Sequence, residues 1–134
     1  MVFYETIKLQ RLIVGAFFIL SSLICHSQAK IKFEQKTQNF GKTKPGDLIE
    51  FDYVFSNNGN QPLIVKNIEV SCSCTKYVFP VQPIATKEKD TIRVTFDTNH
   101  KIGYQDRILL VYSNAENSPT KIRFKGMVDH KSEK

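Results

Sequence analysis

Tryptophan is absent from these 134 residues, and cysteine (3), methionine (2), proline (5) and glycine (6) are sparse. Each shortage excludes something. With no Trp, and with Cys72 and Cys74 only two positions apart, the chain lacks the buried Trp and the widely spaced cysteine pair of antibody domains. The few glycines form neither a phosphate-cradling loop nor a G-x-S-x-G elbow, and no Ser/His/Asp triad can be assembled from the spacing. A structural zinc site needs four ligands, and two cysteines with the distant His100 and His130 are a poor set. Ala, Leu and Met together number 7 in residues 30–134, which argues against a helix bundle or a parallel α/β fold.

What the same 105 residues do contain is Val (8), Ile (9), Thr (8), Phe (7) and Tyr (4). These β-branched and aromatic side chains fit a pleated, half-buried surface. The hydrophobic set makes up 37 of the 105, enough with this many aromatics to close a core rather than stay disordered.

Residues 1–29 differ in kind, holding 18 hydrophobic residues. Lys8 and Arg11 form a modest basic start, Leu12–Cys25 is a 14-residue uncharged apolar run, and Ser27-Gln28-Ala29 supplies small residues for a cleavage site. The run falls short of the ~20 residues that span a bilayer. We read it as a signal peptide cleaved after Ala29, placing the protein in the periplasm or outside the cell. An uncleaved anchor is the alternative, as is a lipid anchor at Cys25, although Ile24 beside it is bulkier than lipoprotein processing prefers. Residues 30–134 then form a single domain with 17 basic and 12 acidic residues, a net charge of +5. That charge is spread out, and with an export signal it argues against a nucleic-acid partner.

Alternation and turn residues divide the domain into about seven short strands. Ile31-Lys32-Phe33 opens the first. Asn39-Phe40-Gly41 and Lys44-Pro45-Gly46-Asp47 read as turn chemistry. Ile49, Phe51, Tyr53 and Phe55 share one face of a strand that Asn57–Asn60 ends. Leu63–Val70 carries the next strand to the cysteines, Tyr77–Phe79 follows, and Thr86–Asp90 reads as a polar loop. Ile92, Val94 and Phe96 alternate in the next strand, Ile108, Leu110 and Tyr112 oppose Leu109 and Val111, and Ile122 and Phe124 alternate with Lys121, Arg123 and Lys125. Strands at this spacing over ~100 residues predict an immunoglobulin-like antiparallel β-sandwich, with a small barrel as runner-up.

Ser71-Cys72-Ser73-Cys74-Thr75-Lys76 is the unusual constellation. In an extended strand both sulfurs would emerge on one face from Cα atoms roughly 6.6–6.8 Å apart, at the limit for a disulfide. A bridge would require the chain to leave strand geometry and would be comparatively oxidising. Three readings stay open: small apolar residues or a local staple, a redox-active disulfide, or soft-metal binding with Cu(I) as the natural guest. Lys76 shares the face and could modulate a thiol.

Several motifs resemble a known family. Val54–Val65 (VFSNNGNQPLIV), Ser71–Thr75 (SCSCT), Ile92–Thr98 (IRVTFDT), Tyr112-Ser113-Asn114 and Phe124–Val128 (FKGMV) are similar to the domain of unknown function 1573 over about residues 33–128. The resemblance implies export, an immunoglobulin-like fold akin to major-sperm-protein and Hydin-type domains, and a place among Bacteroidetes proteins. It brings no settled activity. Two departures stand out: Ser73 replaces the usual Gly between the cysteines, which disfavours a tight turn, and Thr86-Lys87-Glu88-Lys89 replaces a Pro-Gly.

The expectation is therefore a non-enzymatic exported sandwich that binds a protein or an envelope component and needs no cofactor. The rival is a thiol-redox or copper-handling protein using Cys72 and Cys74.

Overall fold

A computed structural model describes residues 27–130, so the proposed signal run and Cys25 lie outside the described residues. Eight strands follow one another: β1 (Ile31–Phe33), β2 (Thr37–Thr43), β3 (Leu48–Asn57), β4 (Val65–Val70), β5 (Thr75–Val78), β6 (Lys89–Asp97), β7 (Gly103–Ser113) and β8 (Thr120–Val128). Among the described residues there is no helix. The strands form two four-stranded sheets, ordered β1-β3-β6-β5 and β2-β8-β7-β4. Period-2 alternation turns one face of each sheet inward. Phe51, Tyr53, Phe55, Ile92, Val94 and Phe96 from the first sheet meet Ile68, Leu109, Val111, Ile122 and Phe124 from the second, all buried. Phe124 is central to an aromatic cluster, with its ring centroid 4.7 Å from Phe51 and 4.9 Å from Phe96.

The sandwich is immunoglobulin-like, as the strand pattern predicts, with one additional strand. Residues 37–43, whose Asn-Phe-Gly reads as a turn, are β2, and β2 pairs with β8 in parallel while the other strand pairs are antiparallel. Phe40 is the one large apolar residue in TQNFGKT, too little for a periodicity to show. It packs between the sheets, 6.0 Å from Phe96 and 6.5 Å from Phe124. Gly126 makes room for it, since a Cβ there would lie 2.5 Å from the Phe40 ring. Gly41, at φ +70°, sits where the β2–β8 register shifts between Asn39 and Lys42.

Two boundaries also move. β6 begins at Lys89, inside the expected polar loop, because Lys89 and Asp90 pair with Ser56 and Phe55. Upstream, Ala29 is buried in the core, bridges Ala115, and accepts the Glu116 N–H at 3.0 Å, so the fold takes in residues ahead of position 30.

Candidate functional site

The two cysteines lie where the chain crosses from one sheet to the other. β4 ends at Val70 in the second sheet, and β5 begins at Thr75 in the first. Between them the backbone turns. The Thr75 N–H donates to the Cys72 carbonyl at 3.1 Å, and the Asp97 N–H donates to the Cys74 carbonyl at 2.9 Å, continuing the β5–β6 ladder. The turn brings the Cys72 and Cys74 Cα atoms to 5.2 Å, well inside the strand spacing, and the two sulfurs are bonded to each other. Leaving strand geometry was the condition for a bridge, and the chain meets it with Ser73, rather than Gly, at the corner.

Around the bridge, the Cys74 N–H donates to the Cys72 Sγ at 3.1 Å, and the Thr75 hydroxyl lies 4.0 Å from the Cys74 Sγ. Cys74 packs against the hydrophobic core, and both cysteines are half-buried. Lys76 is exposed on β5 opposite Thr95, its neighbour Thr75 being the residue that points inward. A soft metal would need the pair reduced, because sulfurs bonded to each other offer no thiolates. Among the described residues, no group of three or more His, Cys, Asp or Glu side chains could hold a metal ion.

Composition and spacing did not single out Arg107. Val70 pairs with Leu109, so the next inward position of β7, Arg107, flanks the end of β4. Its guanidinium donates to the Gln105 Oε1 at 2.9 Å and to the Asp106 carbonyl at 3.3 Å, while its buried Nε makes no hydrogen bond. A lone Arg in an alternating strand reads as surface, so the sequence carries no signal for it.

Most of the distinctive phrase around Asn57 proves to be architecture. Asn57 is fully buried. Its Nδ2 donates to the carbonyls of Gln61 and Ile84 at 2.7 and 3.0 Å, and its Oδ1 accepts from Gly59 at 3.0 Å and Lys30 at 3.4 Å. Gly59 allows close approach of the Gln28–Lys30 backbone, because a Cβ there would lie 2.6 Å from the Lys30 nitrogen. Asn60 and Asn114 clamp neighbouring segments in the same manner: the Asn60 Oδ1 accepts from Gln28, and Asn114 both accepts from Ile64 and donates to the Pro62 carbonyl. Thr98, also buried, donates to the carbonyls of Lys44 or Asp47, each 2.8 Å away.

The outward face of the second sheet is of another character. Tyr104 pairs with Met127, Ile108 with Arg123, and Leu110 with Lys121, all on the side opposite the core. Tyr104 is 60% and Ile108 48% exposed. Arg123 donates to both Asp106 oxygens, one at 2.7 Å, and this holds the Asp106 carboxyl below its ordinary value of 3.8. Tyr104, Ile108 and Leu110 are thus interrupted by Asp106, and Lys121, Arg123 and Lys125 lie on the neighbouring strand of the same face.

The fold is similar to that of several solved β-sandwich structures. The ASH/PapD-like domain 7 of human CEP192 superposes with a TM-score of 0.63 at 12% identity, covering 78% of this chain and 89% of that one. A protein of unknown function from Porphyromonas gingivalis W83 gives 0.67 at 13% identity, over 81% of this chain and 50% of its own. The YadV chaperone gives 0.55 at 16% identity, over 78% and 55%. At such identities the likeness is one of fold. A search of curated proteins finds no match. Residues 31–128 match the model of a protein family of unknown function, and over that span, nearly all of the sandwich, the chain belongs to the DUF1573 family.

Proposed function

We propose that this is an exported, non-enzymatic β-sandwich that binds another protein or a cell-envelope component through the outward face of its second sheet. The observation that carries the reading is the presence of Tyr104, Ile108, Leu110 and Met127 on that face, on either side of the Asp106–Lys125 pair, with Tyr104 and Ile108 about half exposed. A large apolar side chain left in water at the centre of a sheet face gains free energy when a partner covers it. Lys121 on the same face, together with Lys125 opposite Asp106, favours a partner with acidic groups near the β8 side of that face. The 14-residue apolar run at Leu12–Cys25 supports export to the periplasm or beyond.

Site-specific photo-crosslinking in cells tests the reading. A photoreactive residue at position 108 should capture a discrete exported partner, and the same residue at exposed Glu50, on the far face of the first sheet, should not. Ile108→Asp should abolish capture from position 104 while leaving the thermal midpoint unchanged. Equal capture from positions 108 and 50, or capture indifferent to Ile108→Asp, would overturn it.

A further inference from the structure

The Cys72–Cys74 bridge makes a poor staple. The stabilisation a disulfide gives grows with the logarithm of the loop it closes, and this one encloses a single residue. The crossover it sits on is already held on both sides, by the Thr75 N–H on the Cys72 carbonyl and the Asp97 N–H on the Cys74 carbonyl. It therefore contributes little to holding the crossover, while lying half exposed at a corner of the sandwich.

The two sulfurs are also unlike. Cys74 packs against the hydrophobic core and has a hydroxyl, that of Thr75, 4.0 Å away. Cys72 accepts a backbone N–H, that of Cys74, at 3.1 Å. A backbone donor aimed at sulfur is worth most when the sulfur becomes an anion, because charge-assisted hydrogen bonds are stronger than neutral ones. The donor is fixed by the turn, so it is in place before any charge develops.

From these contacts we infer that Cys72 and Cys74 form a thiol–disulfide exchange site that oxidises an exported dithiol, with Cys72 as the sulfur that carries the mixed disulfide. The chemistry balances in two steps. A thiolate of the incoming dithiol attacks the Cys72 Sγ, the Cys72–Cys74 bond breaks, and the Cys74 thiolate leaves and takes up a proton. The second thiolate of the dithiol then attacks its own partner sulfur in the mixed disulfide and expels Cys72 as a thiolate onto the waiting Cys74 N–H. The dithiol loses two electrons to become a disulfide, and the protein pair gains them as two thiols. One bridge oxidises one dithiol, so the exchange is stoichiometric. This covalent step is independent of the binding face proposed above.

Two measurements on the full chain test it. Dithiothreitol should open the bridge of the folded protein at least as fast as that of the urea-unfolded chain, with the far-ultraviolet circular dichroism unchanged. In the variants that keep one cysteine of the pair, both carrying Cys25→Ser, Cys72 in Cys74→Ser should form a mixed disulfide with a peptide disulfide about tenfold faster than Cys74 in Cys72→Ser. Bridge opening only on unfolding, or equal or reversed rates, would overturn the inference. Should a variant fail to fold, the oxidised wild-type chain can be exposed briefly to a monothiol peptide, quenched in acid and mapped by mass. Peptide on Cys72 supports the site as drawn, and peptide on Cys74 refutes it.

Discussion

The Tyr53 hydroxyl, on β3 of the first sheet, donates to the Arg123 carbonyl on β8 of the second at 2.8 Å. It is a direct hydrogen bond across the core from one sheet to the other. Burial without a compensating charge pushes the Tyr53 phenol well above its ordinary 10.0, so it remains a donor throughout the physiological range. Tyr53→Phe keeps the ring beside Phe51 and leaves the carbonyl short of a partner. We expect a loss of about 1–2 kcal/mol in urea unfolding, with an unchanged denaturant slope.

Asn57 should be far less tolerant. Its side chain serves two carbonyls and two N–H groups from four separate points of the chain. Asn57→Ala leaves several of those groups buried without partners, and we expect a loss of about 3 kcal/mol or more by the same measurement. Asn57→Asp keeps the acceptor but offers the Gln61 and Ile84 carbonyls a carboxylate, and it should be at least as damaging at neutral pH.

Lys87 takes a φ of 69°, in the left-handed region that side chains with a Cβ enter at a cost. It lies in the Thr86–Lys89 stretch that departs from the family's usual Pro-Gly. Its N–H donates to the Asn57 carbonyl at 2.8 Å, so the conformation is held by the fold. Lys87→Gly should therefore stabilise the domain, by about 0.5–1 kcal/mol in thermal or urea unfolding. A loss of stability would show that the lysine side chain contributes more than the strain relieved.

Two carboxylates contribute to the acid side of the stability profile. Asp106 is held below its ordinary 3.8 first by the hydrogen bond from Arg123, and Asp47 first by the Thr43 hydroxyl, with the Lys44 N–H next. A depressed carboxylate stabilises the fold above its ordinary value, and that contribution is lost as pH falls through the lowered one. Carboxyl titration by NMR should therefore show both groups titrating below the ordinary aspartate value of 3.8. Arg123→Gln should return Asp106 toward 3.8 without moving Asp47, and Thr43→Val should do the converse.

The sandwich was legible because its core strands alternate without interruption. Phe51-x-Tyr53-x-Phe55, Ile92-x-Val94-x-Phe96 and Ile122-x-Phe124 each face inward as their spacing requires. Strand β2 was not, because a parallel edge strand with one apolar residue carries no period, and its partner β8 lies over eighty positions away. At the C-x-C turn, strand geometry correctly stated what a bridge would demand but could not say whether the chain would supply it. That depended on the Thr75 and Asp97 backbone donors, which are fixed only by the assembled sheet. The Asn57 phrase was visible as a motif, while its role as an architectural clamp emerges only when Gln28, Ile84 and the Asn57–Gln61 turn are brought together.

The place of β8 between β2 and β7 gives the domain a timetable. During synthesis residues 120–128 appear after the other seven described strands. Until they do, β2 and β7 have no neighbour between them, Phe40 lacks the Phe124 ring, and the Tyr53 hydroxyl lacks its acceptor. A chain paused before residue 120 thus presents two open strand edges and an uncovered aromatic cluster, the features that chaperones recognise and that promote aggregation. The last nine-residue strand to emerge closes both gaps at once.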